Sequence, residues 1–553
     1  MSDVPLFSRS PVLPIVALVL LTGILYTSVR VANQGPVIQA VTPSVAYPGD
    51  EVVITGWHFG KVRGAGHVSI AGVVPTSSGY KSWTDDKIVL TVPEKVGSGL
   101  VYVVTDKGQS EGVLFTNRQD IPEVVSQSGQ PGHPFVQSIS PASGPPGSVI
   151  TIGGRNFGMN RGGSTVTFQW VSVGTPASNP QQQDTVIAAS RADFDYVSWS
   201  DQEIKVRVPD GAVTGNVVVN TEKGASNSTY FEVSQVVGTK TFRDRRSYAV
   251  HYGVEVSGVQ LDPQARPGNS LYLWLPRVQT TPDQRRIQVL SRSVPPMFDN
   301  VDGLTLFRLD NVRPDKSYSV VASYIFDRYA VETTIVPARV VTPYDKTTEL
   351  YKVYTAPSPG VPSDNESIKA TAVSVVGYER NPYLQARRVY DYLLNRLKFA
   401  AEPSDPLKAL ESKSGNDTAY ATLMTAMLRS LGIPARIVAG HVIDDTDKAI
   451  PHHWLQFYLQ SFGWVPVDPS IADDEFGGSL KLPDNPVDYY FGNLDNRHIT
   501  FSRGVLTARR MDPNGKPVLQ DVPYAVQSLS EESSGNLRAY TTVWDKLMVI
   551  GVY

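Results

Sequence analysis

The stretch Asp417-Thr-Ala-Tyr-Ala-Thr-Leu-Met-Thr-Ala-Met-Leu-Arg-Ser-Leu-Gly-Ile-Pro434 carries a strong helical pattern in this chain of 553 residues. From Tyr420 to Leu431 its apolar side chains recur at i, i+3, i+4, i+7, i+8 and i+11, which places them on one helical face. Gly432 and Pro434 stand where a helix usually ends. The stretch therefore predicts a helix over residues 417–431.

Two motifs follow this helix. Strands are predicted over residues 435–442 and 453–459, and His452-His-Trp454 stands at the start of the second. The chain then reads Gly463-Trp-Val-Pro-Val-Asp-Pro469. Upstream, residues 381–397 predict another helix, because Asn381-Pro382 is a good cap and first turn. This part of the chain is therefore predicted to be α+β.

The order of helix, His-x-Trp strand and Gly-Trp-Val-Pro-Val-Asp-Pro segment resembles the transglutaminase-like core, which has a papain-type fold. The segments that carry the resemblance are residues 428–436, 452–454, 463–470, 490–497 and 502–504. The resemblance implies a transglutaminase-like domain over residues 346–505.

The same resemblance implies a site. It places the family's catalytic histidine on His452 and its aspartate on Asp468. The cysteine of the family, two residues after a glycine at a helix start, falls on Asp417. Because the chain contains no cysteine, a thiolate nucleophile is excluded. The predicted cleft-lining residues are Trp454, Gln456 and Trp464, and for the two tryptophans packing in the core is the interpretation that we favour over a place in the cleft wall.

Asp417 is open to several interpretations. We favour a helix cap, because its carboxylate would accept free N–H groups and suit the helix dipole. In a second interpretation Asp417 or Thr418 acts with His452 and Asp468 in altered amide chemistry, although Thr418 lacks an evident base. A metal site made of Asp417, His452 and Asp468 is set aside, since the two acids flank opposite edges of the imidazole; no metal and no cofactor are expected. Two flanking carboxylates predict a raised pKa for His452, whereas His453 is expected to be structural.

Two copies of one pattern occupy residues 36–117 and 134–235. Ile38-Gln-Ala-Val-Thr-Pro43 returns as Val136-Gln-Ser-Ile-Ser-Pro141, and a Pro-Gly step, an apolar strand and a Phe-Gly step follow each. Short alternating runs broken by such turns predict immunoglobulin-like β-sandwiches. The repeat resembles the IPT/TIG family, which implies a spacer or a binding surface. Residues 118–133 are predicted to be a linker.

The remaining regions complete the predicted architecture. Residues 236–345 read as a third β-sandwich before the core, and residues 506–553 form a C-terminal extension without an assigned role. The predicted fold class is a mainly β multidomain chain with an N-terminal transmembrane helix, two Ig-like sandwiches, a third sandwich and an α+β core.

The N-terminal prediction rests on residues 10–29, which contain no charged side chain. A helix of that length rises about 30 Å, the thickness of a bilayer core. We interpret it as an uncleaved single-pass anchor, with a cleaved signal peptide as the alternative. Residues 1–9 are predicted to be a cytoplasmic tail and the body to be extracytoplasmic, in the periplasm or at the cell surface. The 50 basic residues are balanced by 53 acidic ones and are not clustered in the sequence. This argues against a nucleic-acid partner, because phosphate binding needs clustered Lys and Arg.

Together these features predict a membrane-anchored protein whose degenerate transglutaminase-like domain binds or scaffolds a protein or cell-envelope polymer. The degenerate cleft is expected to be the recognition surface. The competing hypothesis is an active amide hydrolase or acyltransferase that uses Asp417 or Thr418.

Overall fold

The computed structural model describes residues 35–553, apart from residues 44, 98, 111, 118–131, 174–184, 341 and 546. The predicted anchor at residues 10–29 and most of the predicted linker therefore lie outside the described residues. Within them, no helix is both long enough and apolar enough to cross a bilayer. The chain divides into two compact units, of which one holds the first Ig-like module with Arg509–Asn514 and the other holds the rest.

The first module is a two-sheet sandwich. Alternate residues of its strands are buried, so that one face of each sheet supplies the core, which includes Ile54, Val68 and Leu90. A short 3-10 turn covers Ser77–Gly79. One sheet contains, in spatial order, β1 (Val37–Thr42), β3 (Glu51–Trp57), β6 (Lys87–Thr91) and β5 (Tyr80–Trp83). The other contains β2 (Val45–Ala46), β9 (Val113–Asn117), β7 (Gly99–Thr105) with β8 (Gly108–Gln109), and β4 (His67–Ile70).

The second module repeats this topology. Gly56 and Gly154 occupy equivalent places, where an added Cβ would lie about 2 Å from a backbone oxygen of the neighbouring strand, and only glycine permits that approach. One sheet contains β10 (Phe135–Ser140), β12 (Val149–Arg155), β16 (Glu203–Arg207) and β15 (Tyr196–Trp199). The other contains β11 (Ser143–Gly144), β19 (Thr229–Val233), β17 (Gly215–Thr221) with β18 (Gly224–Ala225), β13 (Thr165–Gln169) and β14 (Val186–Ala188).

The third sandwich is built from both ends of the remaining chain. The extension over residues 506–553 supplies four of its strands, which gives that segment a structural role. One sheet contains β22 (Gln284–Arg292), β25 (Tyr318–Ile335), β20 (Gly238–Leu261), β34 (Leu537–Trp544) and β35 (Met548–Val552). The other contains β23 (Phe298–Val301), β24 (Leu304–Asp310), β21 (Asn269–Pro276), β33 (Glu531–Gly535) and β32 (Lys516–Val518).

The α+β core lies between these strands in sequence. Its antiparallel sheet has the order β30 (Gly463–Val467), β29 (Ala449–Leu459), β28 (Ala435–Ile443) and β31 (His498–Arg503), and β26 (Lys398–Phe399) pairs with β27 (Ser414–Gly415). The helices are α1 (Glu349–Thr355), α2 (Glu366–Val376), α3 (Pro382–Arg396), α4 (Pro406–Ser412), α5 (Asp417–Ser430), α6 (Pro469–Ala472) and α7 (Pro486–Tyr489), with a 3-10 turn at Pro337–Arg339. Helix α5 is buried along almost its whole length against this sheet, which brings its first residue to strand β29.

The second module packs directly on the third sandwich and the core. Its Trp170 lies 5.4 Å from Phe242 and 5.2 Å from Tyr329, measured between ring centroids. Its Asp193 forms ion pairs with Arg436 at 2.5 Å and Arg503 at 2.9 Å, both of which belong to the core sheet. This module therefore belongs to the same compact unit as the site.

Candidate functional site

The site begins at the N-terminus of α5. The capping residue is Asn416, whose side-chain oxygen accepts a hydrogen bond from the backbone N–H of Ala419 at 3.1 Å. The prediction that Asp417 is the cap is therefore wrong. Asp417 is the first helical residue, and its negative charge still suits the positive end of the helix dipole.

The carboxylate of Asp417 is held by the strand that follows. Its Oδ2 accepts hydrogen bonds from the backbone N–H and the ring Nδ1 of His453, both at 2.8 Å. His453 was expected to have no special role, but it fixes the side chain at the position that the resemblance assigns to the cysteine. Strand alternation does turn His453 away from His452, and helix α5 starts against the face that it occupies.

His452 keeps the arrangement that the resemblance implied. Its Nε2 lies 2.6 Å from Asp468 Oδ2, and its Nδ1 faces Asp417 Oδ2 at 3.9 Å. The side chains of His452 and Asp468 are both 0% exposed. The three predicted residues therefore meet in one place, and the two acids flank opposite edges of the imidazole as expected.

A third carboxylate, which sequence reasoning missed, completes the surroundings of His452. Glu475 Oε2 lies 3.3 Å from His452 Nδ1, on the same edge as Asp417. It belongs to the acidic run Asp473-Asp-Glu475, just after α6. That run is the only sequence signal that points to it, because no motif includes this position.

Asp468 also contacts a second buried histidine that was not predicted. His498 Nε2 lies 3.0 Å from Asp468 Oδ2, while its Nδ1 lies 2.7 Å from Asp495 Oδ1. Asp495 in turn accepts a hydrogen bond from the Tyr490 hydroxyl at 2.8 Å. The site is thus a network in which acids and histidines alternate.

These contacts set the protonation of the network. Burial would lower the pKa of His452, but the charges of Asp468 and Glu475 raise it well above its ordinary value. Burial would raise the pKa of Asp468, but His452 and His498 hold it well below its usual range. The pKa of the Asp417 carboxyl is also lowered, since the hydrogen bond and charge of His453 outweigh burial. In consequence His452 is held as an imidazolium between carboxylates.

The predicted cleft-lining residues lie on the same face of the sheet as His452, but they do not line one open cleft. Trp454 is 1% exposed and stacks on His452 with a centroid distance of 6.0 Å. Gln456 instead accepts a hydrogen bond from Arg436 at 2.9 Å, and the Arg436 guanidinium lies 3.7 Å from the centroid of the Trp464 ring. Of these three residues only Trp454 contacts the ring of His452, and both tryptophans are buried in the core.

Thr418 does have a histidine beside it, contrary to the expectation. Its hydroxyl lies 3.1 Å from His453 Nδ1. The same nitrogen is 2.8 Å from the Asp417 carboxylate, so it must carry the proton that this carboxylate accepts. A nitrogen that donates to Asp417 cannot also take the proton of Thr418.

A separate cavity of about 770 Å³ lies among the second module, the third sandwich and the core. Its lining combines apolar side chains, including Phe194 and Tyr354, with four arginines, of which Arg191 pairs with the lining residue Asp302, Arg277 with Asp299 and Arg503 with Asp193. Arg429 is 6% exposed and donates to the carbonyl oxygens of Ala435 and Ala356, both at 2.8 Å. The cavity is therefore amphipathic, and Arg429 is the lining arginine that has no acidic partner among the described residues.

Comparison with known families agrees with this geometry. Residues 369–469 match the Transglutaminase-like superfamily, and residues 36–117 and 134–233 match the IPT/TIG domain. The chain carries a transglutaminase-like domain that lacks its cysteine. Two IPT/TIG domains precede it, so the family assignments that the motifs implied are confirmed.

Individual proteins resemble this chain only over a short segment or at low sequence identity. A segment of 98 residues is 36% identical to cyclomaltodextrin glucanotransferase from Paenibacillus macerans and spans 18% of this chain and 11% of that protein. A structure from Cytophaga hutchinsonii, described as a candidate cysteine protease, has 13% identity and a TM-score of 0.37, over 57% of this chain and 92% of that one. A surface glycan-binding protein from Prevotella bryantii has 11% identity and a TM-score of 0.20, over 55% and 99%. Similarities of this size assign no activity.

Proposed function

We propose that this protein is a membrane-anchored, extracytoplasmic binding protein whose transglutaminase-like domain is no longer a thiol enzyme. The observation that carries the proposal is the state of the nucleophile position. Asp417 occupies it, and His453 holds its carboxylate through two hydrogen bonds. A carboxylate is a far weaker nucleophile toward an amide than a thiolate, and the chain has no cysteine to supply one.

The burial of the site adds to this. His452 and Asp468 are fully buried, and the ring of Phe476 lies 5.7 Å from that of His452. A polymer backbone cannot reach an imidazole that is covered in this way. The degenerate cleft was expected to be the recognition surface. We instead propose as that surface the amphipathic cavity lined by Arg191, Arg429 and Tyr354.

The chemistry of that cavity suggests its ligand. Among the described residues, Arg429 bonds to carbonyl oxygens and to Ser358 and has no acidic partner, and its neighbours in the cavity wall include the ring of Tyr354. Burial lowers the pKa of Arg429 to about 10, which leaves it charged at neutral pH. A peptide or cell-envelope polymer segment with a carboxylate beside an apolar group would complement this wall.

A paired assay of binding and turnover tests the proposal. The protein is incubated with glutamine peptides, a labelled primary amine and anionic cell-envelope fragments. We expect binding without amine incorporation or peptide hydrolysis. Arg191→Glu, at the exposed rim of the cavity, should weaken binding at least about tenfold, which corresponds to about 1.4 kcal/mol.

Arg155→Glu is the matched control, because Arg155 is an exposed arginine of the same module outside the cavity. Turnover that disappears in His452→Ala would instead support the enzyme hypothesis. Equal binding by Arg191→Glu and the unaltered protein would remove the cavity as the ligand site. Membrane fractionation of the protein with and without residues 10–29 tests the anchor.

A further inference from the structure

The Nδ1 edge of His452 faces two carboxylates. Glu475 Oε2 lies 3.3 Å away and Asp417 Oδ2 lies 3.9 Å away. Within the described part of the chain, neither His452 Nδ1 nor Glu475 Oε2 forms a hydrogen bond of good geometry, and the two atoms meet only as an ion pair, which His452 Nδ1 also forms with Asp417. His452 is 0% exposed and the Glu475 side chain only 9%. Buried polar atoms rarely lack a well-formed hydrogen bond, so a ligand bound to both atoms would satisfy them better than the 3.3 Å pair alone.

We propose that Asp417, His452 and Glu475 bind one divalent transition-metal ion, and that Zn²⁺ is the ion this site fits best. One imidazole nitrogen and two carboxylate oxygens form a donor set that Zn²⁺ accepts. Two ligands of a tetrahedral Zn²⁺ ion lie about 3.4 Å apart, which the 3.3 Å between His452 and Glu475 matches. The Asp417 oxygen would have to approach by about half an ångström, and the fourth position would remain open.

The surroundings of His452 prepare it to be a ligand. Its Nε2–H donates to Asp468 at 2.6 Å, which leaves the lone pair of Nδ1 pointing toward Glu475 once the imidazole is neutral. Asp468 is itself held by the Ser470 hydroxyl at 3.2 Å and the Ile471 N–H at 3.3 Å. A histidine that donates its second nitrogen to a fixed carboxylate is the usual arrangement behind a zinc ion.

A second cluster of possible metal ligands in the described residues is less suited to bind an ion. His452, Asp468 and His498 also bring ligand atoms within 4.8 Å of one another. Both histidines already bond to Asp468 through Nε2, at 2.6 and 3.0 Å. All three side chains are fully buried, so an ion would have to break both bonds without an entry path. The Nδ1 edge, by contrast, keeps slight exposure at Asp417 and Glu475.

This site goes beyond the proposed binding function and does not depend on it. The metal set rejected from the sequence contained Asp468, which lies on the wrong edge of the ring. Glu475 takes its place and lies on the same edge as Asp417.

A zinc titration of the full chain without an affinity tag tests the inference. Metals are first removed with a chelator, and bound Zn²⁺ is then measured by calorimetry and atomic emission. We expect one equivalent of tightly bound Zn²⁺. Glu475→Gln and Asp417→Asn should each raise the Kd at least about tenfold, since even changes behind a metal ligand cost that much.

Asp474→Asn is the matched control, because it removes the same charge from the exposed neighbour of Glu475. Asp474 has φ +62°, a conformation that asparagine tolerates. Circular dichroism confirms that each variant is folded, and two ligand variants keep the test valid if one fails. The proposal is overturned if the unaltered chain binds no stoichiometric Zn²⁺, or if both ligand variants bind it as tightly as the control.

Discussion

Two buried clusters of charge lie in the same part of this molecule, and they are built in opposite ways. In the docking cluster, Asp193 of the second module lies between Arg436 and Arg503 of the core. Here the single acid is satisfied by both arginines. In the site cluster, Asp417, Asp468 and Glu475 surround one imidazole, and His452 Nδ1 faces Glu475 without a hydrogen bond of good geometry.

This contrast separates a contact that holds domains together from one that can take a ligand. Burial would raise the pKa of Asp193, but Arg503 and Arg436 hold it well below its ordinary range, so the docking cluster is fully ionised. It also includes Trp464, whose ring lies under Arg436. The site cluster has an excess of negative charge, which a cation would neutralise.

Removal of Asp193 should have the largest effect. Asp193→Ala leaves Arg436, with a side chain 1% exposed, without its acid, and breaking a buried pair in this way costs about 3–5 kcal/mol. We expect the midpoint of chemical denaturation, followed by tryptophan fluorescence, to fall accordingly. Glu203→Ala is the control, because it breaks an exposed pair with Lys205 in the same module and should cost less than about 1 kcal/mol. Equal effects of the two variants would contradict the structural role of the docking cluster.

The motifs of the sequence were enough to place the core of the site. The spacing of Asp417, His452 and Asp468 follows from a helix start, a His-x-Trp strand and a strand end, and the structure brings all three together. These positions are set by local patterns, which is why a single sequence reveals them. The sequence could not decide whether Asn416 or Asp417 is the N-cap, since asparagine and aspartate cap helices equally well.

Long-range pairings could not be predicted. Glu475 reaches His452 only because the short helix α6 turns the chain back over the sheet. Asp193 meets Arg436 across 243 residues of sequence, and β34 of the C-terminal extension pairs with β20. Nothing in the local pattern of any of these segments specifies its partner.

The site cluster should make stability depend on pH. The pKa values of His452 and His498 are both raised, because neighbouring carboxylates outweigh burial. A raised pKa means that the stabilisation is complete below the unfolded value of about 6.5 and is lost as pH rises through the folded value. With a chelator present, we expect the free energy of unfolding to fall above pH 6.5 by up to about 1.4 kcal/mol per pH unit for each histidine. A flat or rising profile between pH 6.5 and 8 would contradict the assigned network.

The smallest effect is expected from Glu475→Gln in the metal-free protein. Glu475 is one of three acids around a single imidazole, so its neutralisation relieves repulsion while it removes one favourable charge from His452. The two changes oppose each other, and we expect the free energy of unfolding at pH 6 to shift by less than about 1 kcal/mol. NMR titration should meanwhile show a lower pKa for His452 than in the unaltered chain, since one of the carboxylates that raise this pKa is then neutral. A loss as large as that of Asp193→Ala would mean that Glu475 is a structural ion-pair partner, and the contrast between the two clusters would disappear.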